Sequence, residues 1–171
     1  MGLGPVLYRE YPIGVLGLMD DGQGLRRVFL RREDSAPGAP EGETPLTLQA
    51  AAELEEYFAG RRQAFTVPLS PRGTDFQQAV WEALRAIPYG ETRTYGEIAA
   101  AVGRPKAARA VGMANHDNPL LIFTPCHRVV GADGSLTGYA GGLDRKRALL
   151  TLEGTGSPRG YPRPLIWGRP R

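Results

Sequence analysis

The chain has one cysteine, Cys126, followed directly by one of its two histidines, His127, and then by Arg128, inside the run LLIFTPCHRVV at 120–130. A free thiol ionises near pH ~8.5, so a cysteine that works as a nucleophile at neutral pH needs a base or a positive field beside it. His127 and Arg128 are placed to supply these. Neighbouring side chains in extended chain point to opposite sides, so Cys126 is expected to reach the imidazole through a bridging water rather than directly. A third group must then orient the ring. Glu153, at the end of a helix expected over 144–153, is one candidate carboxylate, and Asp133 and Asp144 are alternatives that spacing does not separate from it. The competing reading is an inert core thiol, because free cysteine is among the most buried residue types.

The same residue counts narrow the class. One cysteine forbids an internal disulfide, and one cysteine with two histidines does not readily build a four-ligand zinc site, so no metal and no cofactor are expected. Of the 171 residues 42% are apolar and 23% charged, with no run of the ~20 apolar residues that span a bilayer. The start, MGLGPVLYREYPIG, lacks a basic segment followed by an apolar core. A cytoplasmic protein without a membrane partner is expected. Nineteen of the 21 basic residues are arginine, and 155–171 carries four of them and no acid, which points toward a nucleic-acid partner.

Several elements can be read around these residues. IGVLGLM (13–19) and LRRVFL (25–30) flank the short connection Asp20-Asp21-Gly22-Gln23-Gly24 and predict a hairpin. Residues 33–44 read as a loop, and Pro45 opens a helix that Gly60 ends. The acidic residues of 1–66 are expected mostly in turns and on a helix face. Thr74 and Gln77 form a capping box for a helix over about 75–86, with Phe76, Ala79, Val80, Ala83, Leu84 and Ile87 on one face. Thr94 and Glu97 open a second short helix that ends at Gly103, and Pro105 opens a third, KAARAVGMANH. Two short helices around a tight turn suggest helix-turn-helix, although an ordinary helical hairpin has the same pattern. The third helix is nearly bare: Ala107, Ala108, Ala110, Gly112 and Ala114 give it little bulk, Asn115 is its one amide suited to reading a base, and Arg109 is its one central cation. Such a helix could lie close to a groove and read little sequence, with Arg109 either solvated or entering a base stack. The glycine-bracketed Tyr139 in GADGSLTGYAGG suits a lid over a flat ligand, or a plain loop anchor.

Taken with TYGEIAAAVGRPKAARAVG, Asn118-Pro119, PCHRVV and GYAGG followed by LLTLEG, residues 74–154 closely resemble the O6-alkylguanine-DNA alkyltransferase family. The N-terminal 66 residues resemble that family's small cap only loosely. The resemblance implies a repair protein that flips O6-alkylguanine out of double-stranded DNA and takes the alkyl group onto Cys126, with His127 activating the sulfur through water and Glu153 orienting the histidine. It further implies that Arg109 fills the vacated stack, Tyr95 presses on the adjoining phosphate, Asn118 braces the hinge before the active-site turn, and Tyr139 serves the departing base at its purine edge. The helix 106–116 would lie in the minor groove. Arg109, Tyr95, Ala110, Met113, Ala114 and Arg128 are the DNA-contact candidates. Ala140 stands where some members carry serine, and the N-terminal metal ligands of some members are missing.

The expected fold is α+β: a small N-terminal unit with antiparallel strands (1–66) packed on a mostly helical domain with the helix-turn-helix and the cysteine (67–154), then a basic tail (155–171) that aids DNA contact or docks through Trp167. The expected activity is a single-turnover methyltransferase acting as a monomer in the cytoplasm, at the nucleoid. Three rivals are a damage-binding module without transfer, a helix-turn-helix regulator, whose recognition helix should carry several base-reading side chains, and a cysteine hydrolase, which needs an oxyanion site.

Overall fold

The computed structural model describes residues 2–31, 38–139 and 142–154, so Ala140 and the tail 155–171 with Trp167 lie outside the described residues. Two units emerge. One holds the chain up to Arg72 together with Pro119–Leu121, and the other holds Gly73–Asn118 and the chain from Ile122 onward. The architecture is α+β.

In the first unit three antiparallel strands lie in the order β1 (Leu7–Tyr11), β2 (Gly14–Asp20), β3 (Leu25–Leu30). The β2–β3 hairpin is the one predicted, and its turn is closed by the two aspartates: Gly22 N donates to Asp20 Oδ2 at 3.0 Å, and Gln23 N to Asp21 Oδ1 at 2.9 Å. Gly22 takes φ +87°, which glycine adopts without the steric cost of a Cβ. Strand β1 went unread in the sequence because LYREY buries fully just one apolar residue, Leu7; pairing with β2 makes it a strand.

Helix α1 (Pro45–Phe58) starts at Thr44, whose hydroxyl and that of Thr47 cap each other's backbone. It buries Ala50, Leu54, Tyr57 and Phe58, with Tyr11 stacked on Phe58 at 5.3 Å. Glu53 is not on a solvated face. It is buried and accepts Thr66 N at 2.9 Å and Val67 N at 3.2 Å, pairing two backbone donors that have no strand to join. Leu25 N then donates to Pro68 O, and Ser70 N to Leu25 O. That ladder keeps 67–72 with the first unit, so the division falls after Arg72 and not after residue 66. Pro119–Leu121 also joins the edge of β3 that β2 leaves free: Val28 N donates to Pro119 O at 2.8 Å and Leu121 N to Val28 O at 3.2 Å.

The second unit contains α2 (Asp75–Arg85), α3 (Tyr95–Ala101), α4 (Ala108–His116) and α5 (Leu143–Leu152), with a short parallel pair, β4 (Arg93–Thr94) and β5 (Val129–Val130). Both predicted capping boxes, Thr74/Gln77 and Thr94/Glu97, are formed. The buried face of α2 is turned from the predicted one: Ala79 is exposed, and Trp81 is buried with Nε1 donating to Ala114 O at 2.9 Å. A tryptophan can be fully buried there because its one polar atom finds that carbonyl. Helix α4 starts at Ala108 and not at 106, since Pro105 and Lys106 form a turn and Ala107 supplies no side-chain cap. Among the described residues no helix is long and apolar enough to cross a membrane.

Candidate active site

Cys126, His127 and Arg128 form one turn of 3-10 helix after Pro125, not the extended chain expected from the sequence. The turn is held at both ends. Downstream, β5 pairs with β4 through Arg93↔Val129 and Thr94↔Val130. Upstream, Ile122 is forced to φ +72°, a strained setting for a β-branched residue. The Cys126 backbone is tied to its surroundings: its N–H donates to Thr124 O at 2.7 Å, and its carbonyl accepts Asn115 Nδ2 at 3.3 Å.

The Cys126 sulfur is buried. Burial pushes its thiol up to about 11, against a hydrogen bond from Asn118 and the charge of Lys146, which pull it down. Asn118, just past α4, also donates to Thr124 O at 2.8 Å, so one amide ties the end of that helix to the cysteine turn.

His127 is fully buried, and its Nε2 lies 2.7 Å from Glu153 Oε2. Glu153 is the C-cap residue of α5. Burial opposes its ionised form, but the charge of His127, its hydrogen bond and those of Arg128 outweigh that and lower the carboxyl to about 2. An ionised carboxylate can only accept, so Nε2 carries a proton and donates to Glu153, and in the neutral form of His127 the lone pair is then on Nδ1. Nδ1 is buried and has no hydrogen-bond partner among the described residues.

Arg128, proposed from sequence as a DNA contact, is inside the protein. Its Nε and Nη2 reach Glu153 Oε1 and Oε2 at 2.7 and 3.0 Å, and its Nη1 donates to Ile87 O at 2.7 Å. Its cation is spent on the carboxylate that faces His127. Tyr139 is buried near the same charges, with its hydroxyl unpartnered among the described residues; burial, and then the charges of Cys126 and Glu153, raise it well above its ordinary value, so it keeps its proton.

Lys146 is the residue that sequence reasoning missed. It is fully buried and donates from Nζ to Thr137 O at 2.6 Å, and burial lowers its ammonium to about 8 while the Cys126 charge works the other way. Flanked by Arg145 and Arg147 it reads as solvated charge. The signal that could have found it is periodicity: Lys146, Leu149, Leu150 and Glu153 share the i, i+3, i+4, i+7 stripe of α5, and all four are buried.

The outer face of α4 carries Arg109, Ala110 and Met113, all exposed, Met113 to 61%. The Tyr95 ring runs beside Gly112, where an added Cβ would meet two ring carbons at 3.9 Å. Two sequence expectations fail on this helix. Ala114 is buried, with its carbonyl taken by Trp81, and Asn115 is turned inward to Cys126, so neither can meet a base.

Comparison with known proteins bears on this arrangement. Residues 75–155 match the family model for the DNA binding domain of 6-O-methylguanine DNA methyltransferase, and residues 7–71 match that for its ribonuclease-like domain. The chain belongs to the 6-O-methylguanine DNA methyltransferase family. It is 52% identical to a methylated-DNA–protein-cysteine methyltransferase of Methanosarcina acetivorans, over 85% of this chain and 96% of that protein. It is 50% identical to the constitutive one of Bacillus subtilis, over 82% and 89%. Among solved structures it is similar to the O6-methylguanine methyltransferase of Mycobacterium tuberculosis, with TM-score 0.82 and 49% identity over 89% of this chain and 93% of that one. It is also similar to Mycobacterium tuberculosis OGT in complex with DNA, with TM-score 0.80 and 51% identity over 86% and 91%.

In this methyltransferase-family chain, Cys126, His127, Arg128, Lys146 and Glu153 all fall within the stretch matched as the DNA binding domain. The arrangement offers a thiol, an imidazole with one open nitrogen, and a fixed anion behind that imidazole, which together suit removal of a proton from sulfur at the moment of attack.

Proposed function

We propose that this protein repairs DNA by direct reversal, moving the alkyl group of O6-alkylguanine in double-stranded DNA onto Cys126. The observation that carries this reading is His127, bonded through Nε2 to an ionised Glu153 with Nδ1 open, next in sequence to the chain's single cysteine. In the step itself the thiol proton passes to Nδ1, directly or through one water, and the sulfur displaces at the alkyl carbon. The S–C bond forms, the C–O6 bond breaks, and its electron pair leaves with guanine. Tyr139, which holds its proton, donates a hydrogen bond to the leaving purine. The Lys146 ammonium favours sulfur carrying negative charge, and Arg128 clamps Glu153 so that the carboxylate keeps its aim on His127. A thioether has no ready hydrolytic exit, so each molecule acts once.

For the sulfur to reach a base in a duplex, the nucleotide must leave the stack. In our reading α4 lies in the minor groove, Arg109 fills the gap, Tyr95 presses on the adjoining phosphate, and Asn118 braces the link from α4 to the cysteine turn. The exposed α4 residues Arg109, Ala110 and Met113 suit contact without base readout, which favours lesion repair over a sequence-specific regulator. We further propose that the protein works as a monomer, in the cytoplasm and on the nucleoid.

Mixing the protein with excess duplex carrying O6-methylguanine is expected to add the mass of one methyl group per molecule, located on Cys126 by peptide mass spectrometry. Repeated turnover, or methyl on another residue, would refute the mechanism. Affinity for the duplex is expected to fall steeply as salt rises, with log K linear in log salt, because phosphate contacts release counterions. A flat titration would remove α4 as the docking face.

A further inference from the structure

We propose that Thr137 is a positioning residue for Tyr95, so that one threonine hydroxyl governs transfer from duplex DNA more than transfer from the free modified base. The inference rests on the function proposed above. Thr137 Oγ1 donates to the Tyr95 hydroxyl at 3.0 Å, and that hydroxyl donates back to Thr137 O at 3.3 Å. The phenol is therefore held at both its acceptor and its donor position by one residue, 42 positions away in sequence.

The rest of Tyr95 is fixed independently. It is the first residue of α3, behind the Thr94/Glu97 capping box, with Arg93 and Thr94 paired to β5 and its ring lying beside Gly112 of α4. The hydroxyl is the free end of that side chain, and Thr137 is what it touches. Thr137 is itself anchored from the interior, since its carbonyl also accepts Lys146 Nζ at 2.6 Å. One peptide carbonyl thus takes a bond from a phenol on the α4 side and a bond from a buried ammonium, two residues before Tyr139. The Thr137 hydroxyl bonds the phenol, whereas its carbonyl leads to Lys146, whose charge bears on the sulfur. The hydroxyl of Thr137 acts through Tyr95, on the step that brings a base out of the duplex, whereas a free purine needs no such step.

The test compares transfer rates for O6-methylguanine in a duplex and for the free base O6-methylguanine, using the full chain. T137V keeps the backbone carbonyl and the side-chain volume and removes the donor. It is expected to lower the duplex rate about fivefold relative to the free-base rate, the factor supplied by one neutral hydrogen bond of about 1 kcal/mol. T137S should restore the ratio. In a Y95F background, where the phenol is gone, T137V should change the ratio no further. Equal loss on both substrates, a ratio within twofold of the parent, or a full additional loss in Y95F would each overturn the assignment of Thr137. A parent protein that alkylates itself with neither substrate would instead overturn the proposed function, so the two failures are told apart.

Discussion

Replacing Cys126 by serine is expected to abolish alkyl transfer, by at least about 10⁴-fold, while lesion-containing DNA is still bound. The sulfur is already difficult to ionise, with burial holding its thiol up to about 11, so transfer depends on moving the proton to His127 during attack. A serine hydroxyl is a far weaker acid and a poorer nucleophile toward saturated carbon, and the same imidazole cannot make up that difference. Serine is smaller than cysteine by little and can keep the hydrogen bond from Asn118, so the turn and the docking face should persist. Rapid-quench transfer with methyl-labelled duplex, alongside a binding isotherm on the same DNA, gives both numbers. Equal repair by C126S would make the thiol irrelevant, and loss of binding would mean that the serine disturbed more than chemistry.

Replacing Glu153 by glutamine is expected to damage both stability and transfer, and for separable reasons. Glu153 accepts three hydrogen bonds, two from Arg128 and one from His127, in a buried setting. A glutamine presents one acceptor oxygen and an NH₂ that must face a donor, and it leaves the Arg128 cation without its anion. Breaking a buried pair in this way costs about 3–5 kcal/mol. Transfer should fall about 10²–10⁴-fold, because His127 loses the anion that fixes its tautomer and offsets its charge. Pairing E153Q with R128M should recover much of the stability, since the stranded cation is then gone, and none of the transfer. Denaturant midpoints and single-turnover rates on the parent and these two variants separate the two effects.

The same carboxylate sets an acid limit. Its folded value of about 2 lies below the ordinary ~4.3 for glutamate, so its stabilisation is complete above about pH 5 and is lost as pH falls toward 2. The size is about 3 kcal/mol, from 1.36 kcal/mol per unit. E153Q should lack that part of the acid dependence, and a variant as acid-sensitive as the parent would show that other carboxylates carry it.

What could be read in advance follows the range of the interactions involved. Capping boxes, the Asp-Gly turn of the hairpin and the ends of α2 and α3 are set by residues within four positions of one another, and the sequence displays them. The pairing of His127 with Glu153 was open among three carboxylates, because 26 positions of chain separate the partners and only folding chooses between them. Arg128 was misassigned for the same reason: an arginine beside a cysteine reads as a cation for DNA until the distant Glu153 and Ile87 carbonyl take its donors. Ala114 and Asn115 failed because helix start and rotation decide which face is buried, and α4 begins two residues later than its proline suggests. Strand β1 and the burial of Trp81 likewise depend on partners that local pattern does not name.

The path of the chain through Pro119–Leu121 bears on any attempt to cut the protein into transplantable modules. Those three residues pair with β3 in the first unit while Asn118 and Ile122 on either side belong to the second, and Leu120 and Leu121 are both buried. A fragment starting at Gly73 would keep Cys126, His127, Lys146 and Glu153. It would also carry two orphaned leucines and unmatched backbone donors and acceptors five residues upstream of the sulfur, a ready seed for aggregation. Recombination between relatives should therefore succeed when 119–121 is exchanged along with the first 72 residues, and a library shuffled at a single junction after Arg72 should be enriched in insoluble chimeras.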